Sequence, residues 1–119
     1  MPNIYVQGLE REQVRELSRL ATDFFEAELG TPREHVFVFH REVTLFRDGT
    51  EAPQPVILRV SWVRRPRDVF RRVAAGLTVV VREGLGERDR MVQVELHEKW
   101  DDASVDGQLC SEWASANRE

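Results

Sequence analysis

The sequence predicts an α+β fold in which two tandem β-α-β units form one four-stranded sheet with two helices on one face. The order strand, helix, strand occurs twice, and the apolar positions of the two halves coincide after a shift of 56 positions, the interval from Val14 to Phe70. The same shift places Leu29-Gly30 on Leu85-Gly86. Any helix over a sheet needs apolar positions, so the shared Leu-Gly ending and the ungapped register are what favour a duplication.

The first unit occupies residues 2–46. Residues 2–7 favour a strand, residues 10–29 carry apolar side chains at helical spacing, and Gly30 ends that helix. Residues 36–39, Val-Phe-Val-Phe, are typical of a second strand.

The second unit, residues 56–99, follows a turn-rich segment at 47–55. Residues 56–63 predict a strand, residues 67–85 a helix, and residues 91–96 a fourth strand. The remaining residues, 100–119, form a polar tail with Leu109 and Trp113 as isolated anchors. We expect one domain over 1–119. The tail could close a pocket or reach a neighbour, and the plainer alternative is disorder beyond Ser115.

Alternation along the first strand predicts two different sheet faces. If Ile4 and Val6 face the helices, then Asn3, Tyr5 and Gln7 face the other side. Such a half-polar face fits a sheet open to water or one that lines the centre of an oligomer, and the pattern does not choose between them.

Composition narrows the function classes. The net charge is −4, which argues against a nucleic-acid partner, and no apolar run could cross a membrane. Lys99 is the single lysine against sixteen arginines, whose forked guanidinium groups suit carboxylate or phosphate recognition. The single cysteine, Cys110, excludes an internal disulfide and favours a reducing, cytoplasmic compartment.

The dipeptide Met1-Pro2 is the part of the sequence with the greatest catalytic potential. Removal of Met1 would leave a secondary amine on Pro2, which can act as a base or nucleophile without a cofactor. While Met1 stays attached, the same nitrogen is an inert amide. The alternative is an ordinary strand start, where the missing N–H of proline costs nothing.

Arg65-Pro66-Arg67 begins the second helix, where proline is well suited to the first turn. The two guanidinium groups could hold a carboxylate, and their charge would lower the pKa of a nearby amine by disfavouring its protonated form. By contrast, the three histidines lack the spacing of a zinc site, so the sequence predicts no metal and no cofactor.

The element order alone points first to the ferredoxin-like group. Met1-Pro2, the doubled unit and Arg65-Pro66-Arg67 together resemble the tautomerase superfamily, which includes macrophage migration inhibitory factor and malonate semialdehyde decarboxylase. The tail residues 104–108 and the short length are most similar to a bacterial tautomerase-like family of unknown function.

The resemblance implies a homotrimer in which Pro2 is the catalytic base or acid and Arg65 and Arg67 orient a carboxylate. Arg11 takes the place of an arginine that follows the first strand in oxalocrotonate-type tautomerases. His35 stands where the decarboxylase has an aspartate, and it could exchange protons near neutrality.

Three further residues complete the set expected to bind substrate: Arg64, Tyr5 and Phe37, the last standing where oxalocrotonate-type enzymes have a strand arginine. The expected function is a cofactor-independent enzyme that acts on a small oxo- or enol-carboxylate by tautomerisation, decarboxylation or hydration. Two alternatives are a tautomerase-fold trimer without catalysis and a ferredoxin-like module that binds a small ligand.

Overall fold

The protein, a computed structural model describing residues 1–99 and 104–117, is built on a mixed four-stranded sheet. Its strands are β1 (Asn3–Gln7), β2 (Phe37–His40), β5 (Val56–Val63) and β6 (Val92–Lys99), in the order β2-β1-β5-β6. Each β-α-β unit pairs its own two strands in parallel, and the units join through antiparallel β1 and β5. The predicted fold class and tandem units are confirmed.

Two helices cover one face of the sheet. Helix α1 (Arg11–Leu29) begins with a capping box between Glu10 and Gln13 and ends at Gly30, whose φ of 68° is left-handed. Helix α2 (Arg67–Val79) is shorter than the predicted helix at 67–85, because its last turn, Val80–Gly84, widens to a π-helix. Gly86 then takes a φ of 75°, so the two Leu-Gly endings share their geometry as well as their sequence.

The core lies between the sheet and the helices. The central strands β1 and β5 contribute alternate side chains, and α1 and α2 contribute one face each. Its fully buried members include Ile4, Val6, Leu17, Ala21, Phe25, Leu58, Val60, Val73, Leu77 and Val81. The predicted alternation is therefore correct, since Asn3, Tyr5 and Gln7 are only half-buried on the opposite, open face.

Short hairpins, which the sequence analysis did not predict, flank the second unit. Strands β3 (Phe46–Arg47) and β4 (Thr50–Glu51) enclose Asp48-Gly49, and β7 (Ser104–Val105) and β8 (Gln108–Leu109) enclose Asp106-Gly107. All four turn residues have positive φ, as a two-residue type I′ turn requires.

Helix α3 (Cys110–Asn117) follows the second hairpin. The expectation of disorder beyond Ser115 is wrong for residues 116–117. These residues belong to helix α3, which begins at the buried Cys110. Residues 118–119 of that expectation lie outside the described residues. None of the helices described is long and apolar enough to cross a bilayer.

Candidate active site at the Pro2 end of the sheet

The topology gathers distant parts of the sequence at one end of the sheet. Because β1 and β2 are parallel while β1 and β5 are antiparallel, the starts of β1 and β2 lie beside the ends of β5 and β6. We call this region the Pro2 end. It is where Pro2, His35, Phe37 and Arg65 meet, together with Lys99.

Pro2 is buried at the start of the central strand β1, and its carbonyl accepts a hydrogen bond of 3.2 Å from the Phe37 amide. The residue before it is held as well. Lys99 Nζ donates a hydrogen bond of 3.0 Å to the Met1 carbonyl oxygen. The chain terminus is therefore fixed from β2 on one side and from β6 on the other.

Arg65 is positioned by an aromatic side chain. Its guanidinium carbon lies 4.4 Å from the centroid of the Trp62 ring, within the range of a cation–π contact. Trp62 is 2% exposed and packs edge-on against Phe25, with ring centroids 5.3 Å apart. The direction of Arg65 is thus set by the hydrophobic core.

A cavity of about 550 Å³ opens beside this arginine, at the start of α2. Such a volume is typical of sites for small molecules. The start of α2 adds the positive end of the helix dipole, which favours an anion. The residues that line it are Arg64, Arg65, Pro66, Arg67, Phe70 and Glu98.

His35 ends a short 3₁₀ turn, Arg33–His35, immediately before β2. Its ring lies 5.4 Å from that of Trp113 on α3, so the tail packs against this end of the sheet. Within residues 1–99 and 104–117, three buried polar side-chain atoms have no hydrogen-bond partner: His35 Nδ1, Asn3 Oδ1 and Trp62 Nε1. All three belong to residues at or next to the Pro2 end.

Two of the residues predicted to bind substrate lie on the open sheet face. Tyr5 stacks on Phe39 with ring centroids 5.0 Å apart, and Arg41 lies over the Tyr5 ring. Phe37, on the same face, is 41% exposed. This surface is aromatic as well as polar.

Arg11 is not brought to the Pro2 end. It begins α1, which follows the far end of β1, and it lines a second cavity of about 510 Å³ together with His40 and Arg90. A contact between Arg11 and Pro2 within one chain is therefore excluded by the direction of β1.

Lys99 and Trp62 are the site residues that the sequence analysis missed. Lys99 had one available signal, because it is the only lysine in a chain of sixteen arginines. Trp62 had no such signal, since an aromatic residue in a buried strand is a common member of a hydrophobic core.

The terminal amine lies in an environment that disfavours its charge. Burial, together with the positive charges of Lys99 and Arg65, lowers the pKa of the Met1 amine from 8.0 to about 5, against a smaller opposing effect of Cys110. Burial also lowers the pKa of Lys99. A terminal amine in this place is therefore mostly unprotonated at neutral pH.

This lowered pKa predicts how the stability of the Met1-bearing chain depends on pH. The unfolded amine binds a proton below about pH 8 and the folded amine only below about pH 5, so the free energy of unfolding should decrease as the pH falls across that window. Urea unfolding at several pH values tests this. An N-acetylated chain is the control, since it has no amine to titrate, and an identical pH dependence in both chains would contradict the assignment.

A family model described as "Domain of unknown function (DUF1904)" matches residues 1–99. A crystal structure of a DUF1904 domain from Sebaldella termitidis is 25% identical, covers 92% of this chain and 99% of its own, and superposes with a TM-score of 0.80.

Two further solved structures share the fold. A structure described as "F6 fused 4-OT wild type asymmetric trimer" is 18% identical, with 94% of this chain and 97% of that chain covered and a TM-score of 0.76. "Pt0534 Inactivated by 2-Oxo-3-pentynoate" is 19% identical, with 94% and 97% covered and a TM-score of 0.71. No curated protein matches the sequence.

Proposed function

The chain belongs to the DUF1904 family, a tautomerase-like family of unknown function, and we propose that it is a cofactor-independent enzyme whose Pro2 nitrogen acts on a small oxo- or enol-carboxylate. The tautomerase fold is common to its structural neighbours. This shared fold argues against the ferredoxin-like alternative.

One observation carries the proposal. The terminal amine is half-buried beside Arg65 and Lys99, and its pKa is lowered to about 5. Removal of Met1 transfers the amine to Pro2, one residue further into the same end of the sheet. There the positive charges of Lys99 and Arg65 would disfavour the protonated form, so we expect Pro2 to act as a base, as enolisation of an oxo acid requires.

In the proposed reaction, neutral Pro2 removes a proton from the carbon next to the substrate carbonyl and returns it to another atom. Arg65 and Arg67 hold the carboxylate in the cavity at the start of α2. His35 lies at the same end of the sheet and is the proposed second group for proton exchange. Decarboxylation through an iminium on Pro2, and hydration with protonated Pro2, use the same groups.

We also propose that the chain assembles as a homotrimer through the open face of the sheet. Phe37 and Phe39 on that face are 41% and 45% exposed, which is unusual for two aromatic side chains on adjacent positions of one sheet face. The fused 4-OT neighbour is described as a trimer. In such an assembly Arg11 reaches a Pro2 site only across a subunit boundary.

The test begins with intact mass, because a chain that keeps Met1 has no Pro2 amine. For the Met1-free chain, we expect ketonisation of phenylenolpyruvate, slowed roughly 10- to 100-fold by Pro2→Ala, which keeps a terminal amine but changes its geometry and basicity. Arg65→Ala should mainly raise KM, since it removes a carboxylate contact. Equal rates in all three proteins would refute the catalytic roles of Pro2 and Arg65.

Covalent labelling tests the amine without turnover. One structural neighbour is inactivated by 2-oxo-3-pentynoate. In this chain we expect the Pro2 nitrogen to add to the alkyne of that reagent, giving a mass increase of one reagent molecule on the N-terminal peptide. Labelling confined to the peptide that contains Lys99 would refute the role of Pro2.

A further inference from the structure

The only lysine of the chain lies beside the N-terminus. Lys99 is the last residue of β6 and pairs with Val63 at the end of β5. Its ammonium group lies 3.0 Å from the Met1 carbonyl oxygen and is half-buried. Every other basic side chain of the Lys and Arg type is an arginine.

Covalent geometry extends this contact to Pro2. The oxygen and nitrogen of one amide are about 2.2 Å apart, so Lys99 Nζ lies within about 5 Å of the Pro2 nitrogen. Among the described residues, Arg65 and Cys110 are the further charged or titratable groups that act on the terminal amine or on Lys99. Once Met1 is removed, an ammonium and a base therefore lie side by side.

Lysine is better suited than arginine to donate a hydrogen bond to a single oxygen atom. An ammonium is a compact charge with three rotatable donors, whereas the planar fork of arginine matches the two oxygens of a carboxylate. Arg65, Arg67 and Arg64 already line the cavity in which a carboxylate is expected. Lys99 instead binds one carbonyl oxygen, that of Met1.

We propose that Lys99, which binds the Met1 carbonyl oxygen here, is the hydrogen-bond donor to the substrate carbonyl oxygen and stabilises the enolate. This inference rests on the proposed function. Once Met1 is removed, the ammonium loses that acceptor, and an oxo acid bound beside Pro2 supplies a new one. While Met1 is present, its carbonyl occupies the Lys99 donor, and Met1 excludes substrate.

The proton step balances without another reactant. The bond between the substrate carbon and its proton breaks, and an N–H bond forms at Pro2. The electron pair moves into the carbon–carbon bond while the carbonyl π pair moves onto oxygen, where the Lys99 ammonium faces the new charge. The hydrogen bond therefore strengthens in the transition state, which is the condition for a catalytic effect.

The single lysine makes a direct test possible. In Met1-free protein labelled with ¹³C at the lysine Cε, one resonance reports on Lys99 alone. Phenylpyruvate should shift it in a saturable manner. Phenylacetate, which has the carboxylate but no oxo group, should leave it within the error of a blank titration. No shift with phenylpyruvate, or an equal shift with both compounds, would overturn the proposal.

Kinetics provide the second measurement. Lys99→Met should lower kcat for phenylenolpyruvate about 100-fold, as loss of one oxyanion donor does, with a smaller change in KM. It should also raise the pKa of the Pro2 amine in ¹⁵N spectra, while Lys99→Arg restores part of the rate. The charge control is Arg82→Met, at the far, exposed end of the second helix region.

The two failures are distinguishable. A wild type that turns over substrate, with Lys99→Met folded and within twofold of its kcat, would refute the role of Lys99 and leave the proposed function intact. A wild type without turnover would refute the proposed function on this substrate. The lysine resonance then still decides, through its response to phenylpyruvate, whether Lys99 binds an oxo oxygen.

Discussion

Replacement of Trp62 by alanine should lower the free energy of unfolding by about 3–5 kcal/mol, the usual range for deletion of a buried aromatic side chain. Trp62 is 2% exposed and packs against Phe25 of α1. Its ring also makes the cation–π contact with the guanidinium of Arg65. The same substitution should therefore weaken carboxylate binding in whatever protein remains folded.

Equilibrium urea unfolding checks this effect. The control is Met91→Ala, which removes an apolar side chain that is 68% exposed and should change stability by no more than about 0.5 kcal/mol. Trp62→Phe should cost less than Trp62→Ala, because it keeps the ring contact and removes the indole N–H, which has no acceptor. A loss below about 1 kcal/mol for Trp62→Ala would show that the site collapses around the change.

Gly8→Ala should be almost as damaging, by about 3 kcal/mol or more, although it adds a single methyl group. Gly8 has a φ of 91°, and a Cβ there would lie 2.2 Å from the Pro55 carbonyl oxygen. The backbone cannot yield easily, because Arg90 donates hydrogen bonds to the carbonyls of both Gly8 and Gln54. The turn between β1 and α1 would have to open.

Gly86→Ala separates the steric effect from the backbone effect. Gly86 has a comparable φ of 75°, but a Cβ would meet nothing within 4 Å. Its cost should be about 1–2 kcal/mol, that of a left-handed conformation for an L-residue. Thermal or urea unfolding of the two variants side by side gives the difference. Equal losses would mean that the Pro55 contact relaxes freely.

The sequence predicts the architecture well because the architecture follows local rules. Helical spacing and alternation in strands indicate which face is buried. The 56-residue shift aligns Leu29-Gly30 with Leu85-Gly86, and both glycines adopt a left-handed backbone conformation. The π-helical turn at Val80–Gly84 has no such local signature. The hairpins at Asp48-Gly49 and Asp106-Gly107 did have one, the Asp-Gly pair of type I′ turns.

The site is predicted only in part, because it depends on strand register rather than on local pattern. Pro2 and Arg65 were recognised by residue type and neighbours. Lys99 reaches Met1 only because β6 runs parallel to β5, and β5 antiparallel to β1. The same register separates Arg11 from Pro2, which no spacing in the sequence reveals.

The position of β1 has a practical consequence for work with this protein. Because the first strand lies in the middle of the sheet and Pro2 is buried at its start, a purification tag fused ahead of Met1 would have to pass through the crowded Pro2 end. Such a tag would also leave an amide where the proposed mechanism needs the Pro2 amine. Recombinant material for the activity and labelling assays therefore needs its tag at the C-terminus.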